Sequence, residues 1–185
     1  MEGDLDFVLN WLRCKGRRAA HVINRGISRG EIERLIGSGR ILSFPAELFR
    51  LYGWRNGTRV EAGDQLDGLH FFPGYYFLSF EDALASYLLF ENDSRWDCSW
   101  FPIFANGGGD YYALDIRTGK VIGFLLGESD QLPEFDSITA MIRTLAECYE
   151  KGIFFLDSSG YLEVNDQRQI EIARKLNPGI EGYFS

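Results

Sequence analysis

The sequence contains few of the residues that most often build metal or nucleophilic sites: three cysteines and two histidines among 185 residues. Neither the cysteines (Cys14, Cys98 and Cys148) nor His21 and His70 form a C-x-x-C, H-x-x-x-H or H-E-x-x-H pattern. Metal ligands and redox cysteines usually show such spacings. The sequence therefore predicts no metal site and no cofactor, and it points to no catalytic residue; a Cys–His pair that comes together only in the fold stays open at this point. Unpaired, widely spaced thiols are typical of a protein of the reducing cytoplasm.

Long apolar runs and a basic leader are also absent. No run approaches the roughly 20 residues that span a bilayer. The first residues, M-E-G-D-L-D, are acidic where a signal peptide is basic. We therefore expect neither a membrane span nor a signal peptide, and no membrane partner.

Basic residues are scarce beyond residue 60. Residues 1–60 contain 11 Lys/Arg and 6 Asp/Glu, whereas residues 61–185 contain 8 and 21, which gives formal charges of +5 and −13. An acidic body disfavours nucleic acid and favours a basic partner protein. Acidity that only keeps the protein in solution is the simpler alternative, and charge alone leaves both open.

What the sequence does contain is an aromatic-rich globular composition, 45% hydrophobic, 15% aromatic and 25% charged. A chain of this length most simply forms one domain. Its centre is predicted in residues 100–126, where residues 100–105, 111–116 and 121–126 form three apolar strands joined by tight connections. Because these strands are apolar on both faces, we expect them to be covered on both sides or to lie at the centre of the sheet.

Helices are predicted on either side of these strands from apolar residues at helical spacing. Ser28, Ser79 and Ser137 are predicted N-caps, and Ser28 forms a capping box with Glu31. The helix after Ser28 should end at Gly37 to Gly39, and the helix after Ser79 near Glu91. The apolar face predicted for the first helix is Leu5, Val8, Leu9 and Leu12, widened by Phe7 and Trp11. For the helix after Ser137 it is Ile138, Met141, Ile142, Leu145, Ala146 and Tyr149, and for the last helix it is Ile170, Ala173 and Leu176.

Shorter segments are predicted from turn residues and local polarity. Residues 19–24 suggest a short helix, Asn56-Gly57 a turn, residues 58–67 a loop and residues 69–72 a strand. Residues 153–156 and 161–164 flank D-S-S-G and predict a small hairpin. The pattern predicts an α+β domain, not alternating βαβ units, with an acidic loop at residues 127–136.

The loop Asn106-Gly107-Gly108-Gly109-Asp110 raises the question of a phosphate site. A phosphate-binding glycine loop opens a helix, and in the P-loop it supplies a lysine. Here the glycines precede another strand, and no lysine accompanies them. A connection between strands that needs positive φ is therefore the favoured interpretation.

Four carboxylates fall within nine residues: Glu128, Asp130, Glu134 and Asp136. There is no Lys or Arg between positions 121 and 142. They lack the EF-hand spacing, and no sugar-binding pattern supports an acid–base pair of carboxylates. One interpretation is a solvated loop in which Asp136 assists the next helix N-terminus. The other is an acidic patch for a basic partner, with the candidate residues Glu128, Asp130, Glu134, Asp136, Asp110 and Asp115.

Several segments follow a known pattern. F-P-A-E-L-F-R-L-Y (44–52) precedes Asn56-Gly57, and W-F-P-I (100–103) precedes G-G-G-D (107–110), L-D (114–115) and G-K-V-I-G-F (119–124). Together with the helix after Ser137, these segments resemble the Smi/Knr-like proteins of the SUKH superfamily over about residues 28–150. Phe44, where leucine is usual, and the long loop at 58–67 depart from that pattern. The signature residues are Trp100, Pro102, Gly107, Gly108, Gly109, Asp110 and Gly123.

The resemblance implies an α+β fold with a mixed, largely antiparallel sheet packed against several helices. We expect residues 28–185 to form this domain and residues 1–27 a helical extension. The resemblance implies no enzymatic activity. Bacterial members resemble immunity proteins that bind and neutralise a cognate polymorphic toxin, often a nuclease, and this is the expected function. The alternatives are a regulatory scaffold of the fungal type, linked to cell-wall glucan synthesis, and a small-molecule-binding protein.

Overall fold

A computed structural model of the chain describes residues 1–37, 43–90 and 93–180. Short helices and short strands make up these residues. The helices are α1 (Glu2–Cys14), α2 (Arg29–Ile36), α3 (Ala46–Trp54), α4 (Leu66–Leu69), α5 (Phe80–Leu89), α6 (Ile138–Glu150) and α7 (Asp166–Leu176). The strands are β1 (Ile23–Arg25), β2 (Arg55–Thr58), β3 (Tyr76–Phe77), β4 (Trp100–Ala105), β5 (Tyr111–Asp115), β6 (Val121–Phe124), β7 (Leu132–Phe135), β8 (Phe154–Leu156) and β9 (Leu162–Val164).

Strands β3 to β7 form the central sheet, and each pairs with its neighbours in the chain. All of these pairs are antiparallel, so the sheet is a meander. Two separate ribbons, β1-β2 and β8-β9, are also antiparallel. The α+β class is thus confirmed. No parallel pair occurs among the strands of the described residues, so the mixed character implied by the resemblance is not found there.

The three predicted central strands are confirmed as β4, β5 and β6, and the sheet is covered on both faces. Side chains on one face, including Phe104 and Leu114, join the main core under the helices. On the other face, Ala113 and Phe124 form a second cluster with Trp96. The alternation follows from the two-residue period of a strand. β6 ends at Phe124, two residues earlier than predicted, because the chain leaves the sheet there.

The three predicted serine caps are confirmed. Ser28 accepts a hydrogen bond from the backbone N–H of Glu31, and the Glu31 carboxylate binds back to the Ser28 N–H. Ser79 and Ser137 cap α5 and α6 by accepting a hydrogen bond from the backbone N–H of Asp82 and Ala140, respectively. All six residues of the predicted α6 face are buried. The predicted ends at Gly39 and Glu91 lie outside the described residues.

The N-terminal segment packs onto the core, with two differences from prediction. Trp11 of α1 lies 4.6 Å from Tyr149 of α6, measured between ring centroids. Phe7 does not widen the buried face, because it points to solvent. The predicted helix at residues 19–24 is also wrong, since only Arg18–Ala20 form a 3-10 turn before β1 pairs with β2. The division into residues 1–27 and 28–185 stays a prediction.

Residues 55–77 differ most from prediction. Asn56-Gly57 is not a turn but part of β2, where the Asn56 side chain accepts a hydrogen bond from the N–H of Phe80 at the start of α5. The polar segment after it ends in the single turn of α4, and residues 69–72 are not a strand. These elements form through contacts with distant residues, which local propensity does not encode.

The C-terminal hairpin is confirmed as β8-β9, and α7 is confirmed with Asn165 as its N-cap. The buried face of α7 was predicted only partly correctly. Ile172 and Ala173 are buried, whereas Ile170 is exposed. The buried face of α7 is therefore rotated from the predicted one, and at the end of the helix Asn177 Nδ2 donates a buried hydrogen bond to Thr144 Oγ1 of α6.

Candidate partner-binding surface

The connection between β6 and β7 projects from one end of the sheet. We call residues 125–132 the hairpin tip. The Gln131 side chain fills the inside of the tip: its Oε1 accepts a hydrogen bond from the Leu125 N–H at 2.8 Å, and its Nε2 donates to the carbonyls of Leu125 and Glu128. Glu128 and Asp130 are both exposed on the outside. The tip is therefore a folded loop that presents two carboxylates to solvent.

Two contacts fix the hairpin tip to the loops that precede β4 and β5. The Leu126 N–H donates to Asp110 Oδ1 at 2.9 Å, and Arg95 Nη1 donates to the Leu126 carbonyl at 2.7 Å. Arg95 also pairs with Asp93, and these hydrogen bonds lower the pKa of Asp93 to about 2. Asp110 is thus next to the tip, but it serves to hold the loop.

Three leucines are exposed on the hairpin tip beside the carboxylates. Leu125, Leu126 and Leu132 are 41%, 38% and 56% exposed. Isolated exposed leucines are ordinary, but three within eight residues, next to two carboxylates, form a mixed apolar and acidic surface. Surfaces of this kind are suited to binding another protein.

The N-G-G-G-D loop is shaped by its own side chains. Asn106 Oδ1 accepts hydrogen bonds from the N–H groups of Gly108 and Asp110, and Asn106 Nδ2 donates to the Asp110 carboxylate at 2.6 Å. Gly107 and Gly109 have φ of 77° and 107°. A Cβ on Gly109 would also lie 2.8 Å from Leu126. The loop leads into β5, so these glycines shape a connection between strands.

Asp115 and Asp136 lie at the opposite end of the sheet from the hairpin tip. Leu114 pairs with Val121 and Val121 pairs with Phe135, which places the ends of β5 and β7 together. Asp115 is buried. Burial raises its pKa, but hydrogen bonds from the Arg117 N–H and the Thr118 hydroxyl outweigh this effect and lower it.

Asp136 joins β7 to the end of α7. Its N–H donates to Asn177 Oδ1 at 3.1 Å, and its carboxylate accepts from the Gly179 N–H at 3.0 Å. Like Asp110 and Asp115, Asp136 already binds backbone groups of its own chain. The six candidate carboxylates therefore do not form one patch, and two of them, Glu128 and Asp130, are fully presented at the tip.

Glu134 lies in β7, inside the segment predicted as a loop. Its Oε2 accepts a hydrogen bond from the Tyr112 hydroxyl at 2.9 Å, and its Oε1 lies against Gly123 of β6. A Cβ on Gly123 would be 2.7 Å from Glu134 Cδ, closer than side chains tolerate. Burial raises the pKa of Glu134, and the Tyr112 hydroxyl offsets part of that rise. Gly123 therefore makes room for this carboxylate.

The other signature residues have structural positions. Pro102 is buried in β4 next to an irregularity in its pairing with β5. Such an irregularity accommodates a residue that lacks an N–H in a central strand. The Trp100 carbonyl accepts a hydrogen bond from the Trp96 indole at 3.1 Å, which holds the second cluster on the sheet.

A family model described as the SMI1 / KNR4 family (SUKH-1) matches residues 31–144, which is more than half of the chain. The chain belongs to this family. The match begins in α2 and ends within α6, so it includes the central sheet, the N-G-G-G-D loop and the hairpin tip. No curated protein matches the sequence.

The SMI1/KNR4 family match contains the Asn56-Gly57 pair, and the structure gives that pair a role. Asn56 contacts the first turn of α5 through both ends of its amide, accepting from the Phe80 N–H and donating to Glu81. Gly57 has φ of 69° and lies against the backbone of Leu78 and Ser79. The pair therefore locks β2 to the start of α5.

The structure also bears on whether the cysteines and histidines could act as nucleophiles or metal ligands. Burial raises the pKa of Cys148 to about 12, so its thiol is protonated at neutral pH and a poor nucleophile. His70 Nδ1 lies 3.6 Å from Asp67 Oδ1, beyond hydrogen-bond distance, and burial chiefly lowers its pKa. In residues 1–37, 43–90 and 93–180, no group of three or more His, Cys, Asp or Glu could hold a metal ion.

Sequence reasoning missed the placement of Glu134 and Tyr112, because nothing local distinguishes a buried carboxylate from a solvated one. Gly123 gave a partial signal for the position of Glu134, since a glycine within an apolar strand often marks a close approach.

No helix among the described residues is long and apolar enough to cross a membrane.

Proposed function

We propose that this protein is a non-enzymatic binding protein that neutralises a cognate toxin domain in the cytoplasm of the producing cell. The toxin, in this proposal, is a nuclease-type protein with a basic surface. The observation that carries the proposal is the hairpin tip, a stiffened loop that presents two carboxylates and three leucines. A binding role also agrees with membership of the SMI1/KNR4 family.

Charge supports a basic partner. Residues 61–185 carry a formal charge of −13, and the hairpin tip lies within that acidic part of the chain. A nuclease must bind phosphates, so its active surface is basic. Complementary fields of this kind speed association and raise specificity. The leucines of the tip would supply the apolar contact that charge alone does not.

Reversing the charge of the hairpin tip is expected to weaken partner binding about thirtyfold, mostly through slower association. The variant is Glu128→Lys with Asp130→Lys, because both side chains are exposed and their replacement leaves the fold intact. Association rates measured by surface plasmon resonance against salt concentration should also lose much of their salt dependence.

The matched control reverses two carboxylates elsewhere. Glu163→Lys with Glu171→Lys changes the net charge by the same amount, and both residues are exposed, on β9 and α7. Equal loss of affinity in the two double variants would mean that overall charge, and not the hairpin tip, attracts the partner. Unchanged affinity in the tip variant would remove the tip from the interface.

Co-expression tests the function itself. We expect the neighbouring gene to encode a large toxin with a C-terminal effector domain, and that domain should stop growth when expressed alone. Co-expression of the present protein should restore growth, and the two should co-purify. The tip variant should protect less well than its control at the same expression level.

Growth arrest that persists with the intact protein would contradict the immunity role. If the neighbouring genes encode no toxin and the protein instead co-purifies with enzymes of cell-wall synthesis, the regulatory scaffold replaces it. Either result would leave family membership unchanged, because that rests on residues 31–144 alone.

A further inference from the structure

A groove between α1 and α6 is formed without any residue of the hairpin tip. It has a volume of about 360 Å³ and is lined by Asp4, Phe7, Arg143, Ala146, Glu147 and Glu150. Its α6 residues follow the three- and four-residue spacing of one helix face, so they form a single stripe along the helix. The groove is therefore a second surface, separate in its residues from the one proposed above for the toxin.

Phe7 and Ala146 give the groove its apolar part. Phe7 is 41% exposed, although Leu5 and Val8 of the same helix are buried. Ala146 is small and 7% exposed, so another helix can approach the α6 backbone at this point. A single exposed phenylalanine is ordinary, so the apolar part alone does not identify an occupant.

Arg143 and Glu150 are exposed and carry opposite charges at the two ends of this stripe. Neither side chain makes a hydrogen bond or ion pair with the part of the chain that the structure describes. Glu147 is the usual helical partner for a cation at position 143, but its Oε1 lies 2.7 Å from Lys151 Nζ and 3.7 Å from Lys175 Nζ. The hydrogen bond from Lys151 chiefly lowers the pKa of Glu147, and the field of Arg143 contributes least to that shift. Arg143 and Glu150 are thus available to another molecule.

These two free charges make the stripe complementary to itself. Arg143 and Glu150 lie on one face of α6, two turns or about 10.5 Å apart. A second copy of α6 can pack on it antiparallel, with a two-fold axis between Ala146 and Glu147. Arg143 of each copy then faces Glu150 of the other, because both residues are equally far from that axis. Ala146 faces Glu147, and its small side chain leaves room for the glutamate and its lysines.

A second copy fits this groove better than a partner of uniform charge, which would attract one end of the stripe and repel the other. Each copy carries a net charge of −8, which opposes self-association in general. The other carboxylates of the groove are compensated, however: Asp4 pairs with the Met1 amino group at 3.1 Å, and Glu147 is held by its two lysines. Contact between two copies here therefore has only Glu150 to pair, and Arg143 lies opposite to it.

We propose that the groove between α1 and α6 is the interface of a homodimer, in which two α6 helices pack antiparallel. Arg143 of each copy binds Glu150 of the other, and Phe7 packs against the opposite copy. This contact is isologous, so it closes at two copies and does not propagate. Because two helices from each copy form an interface no larger than the standard size of roughly 1,600 Å², we expect a dissociation constant of about 10 µM.

Sedimentation velocity of the intact protein, at concentrations below and above that value, tests the dimer. The parent should change from a 21.1 kDa monomer to a dimer as its concentration rises. Phe7→Gln should weaken the dimer, because it removes the apolar contact at an exposed position and leaves the fold intact. A parent that stays monomeric at concentrations well above the expected dissociation constant would overturn the proposal.

Arg143→Glu and Glu150→Arg are the decisive variants. Each should weaken the dimer about tenfold, because two attractive pairs become two repulsive ones. An equimolar mixture of the two should dimerise at least as strongly as the parent, since one variant then has glutamate and the other arginine at both positions. Circular dichroism checks that both variants keep their helices. A mixture that associates no better than the separate variants would contradict the proposed pairing.

Net charge alone predicts a different result. Arg143→Glu makes the protein more negative and Glu150→Arg makes it less negative, so general repulsion would weaken association in the first and strengthen it in the second. The matched control is Glu171→Arg, at an exposed position of α7. It changes the charge as Glu150→Arg does and should not weaken the dimer. If the parent dimerises and neither reversal weakens it, the dimer uses another surface and the proposal is wrong.

The outcome is separable from that of the proposed function, because the hairpin tip contributes no residue to the groove. A homodimer with these variant effects would stand even if the neighbouring toxin is not neutralised. Neutralisation by a protein that remains monomeric would leave the immunity role intact and the dimer proposal wrong.

Discussion

Gly57→Ala is expected to lower the free energy of unfolding by about 4 kcal/mol. Two costs add at this position. Gly57 has φ of 69°, a region that costs an L-residue about 1–2 kcal/mol. The new Cβ would also collide with the backbone of Leu78 and Ser79, which cannot move aside as a side chain can. Overpacking of this kind costs roughly 1–3 kcal/mol.

The matched control for this prediction is Gly119→Ala. Gly119 has φ of 78°, but a Cβ there would meet nothing within 4 Å. It should cost about 1–2 kcal/mol, the conformational cost alone. Urea denaturation monitored by tryptophan fluorescence measures both variants. If both variants lose the same unfolding free energy, the close approach of Gly57 to the start of α5 does not add to the cost of a side chain there. Failure of Gly57→Ala to fold at all, with Gly119→Ala folded, would support the prediction.

The strand trio and the helix caps could be predicted because their determinants are local. A serine followed by a carboxylate three residues later sets a helix start regardless of what the helix packs on, and Ser28 and Ser79 behave accordingly. The apolar runs of β4 to β6 likewise carry their own signal.

Residues whose roles depend on distant partners could not be predicted in this way. Asn56-Gly57 has the composition of a turn, but a helix start 24 residues away holds it in a strand. Glu134 resembles its exposed neighbours in sequence, and only the pairing of β7 with β6 places it on Gly123. The sequence therefore pointed to the loop that we propose as the contact surface, while the division of its carboxylates into exposed and structural ones required the fold.

The N-terminal segment offers a second large effect, at a buried ion pair. Arg17 is 6% exposed, and its Nη1 donates to Asp67 Oδ2 and to the Gly160 carbonyl, both at 2.8 Å. Its Nη2 also contacts the Asp67 carbonyl. Asp67 Oδ1 in turn accepts the Leu162 N–H. This pair joins the segment before β1 to α4 and to the β8-β9 hairpin.

Asp67→Asn is expected to cost about 3 kcal/mol, because it leaves the Arg17 guanidinium buried without a counter-charge. Arg17→Met should cost less, about 1–2 kcal/mol, because Asp67 is 25% exposed and water can solvate it. The double variant should then be more stable than Asp67→Asn alone, since no buried charge remains. Urea denaturation of the three variants tests this order.

The order of stabilities also bears on the boundary predicted at residue 28. A coupling of more than about 1 kcal/mol between Arg17 and Asp67 would mean that residues 1–27 fold with the rest as one cooperative unit. Additive costs would indicate an extension that is attached but not required. Because Arg17 is more buried than most arginines ever are, and α1 contributes four fully or nearly fully buried residues to the main core, we expect coupling and a single unit.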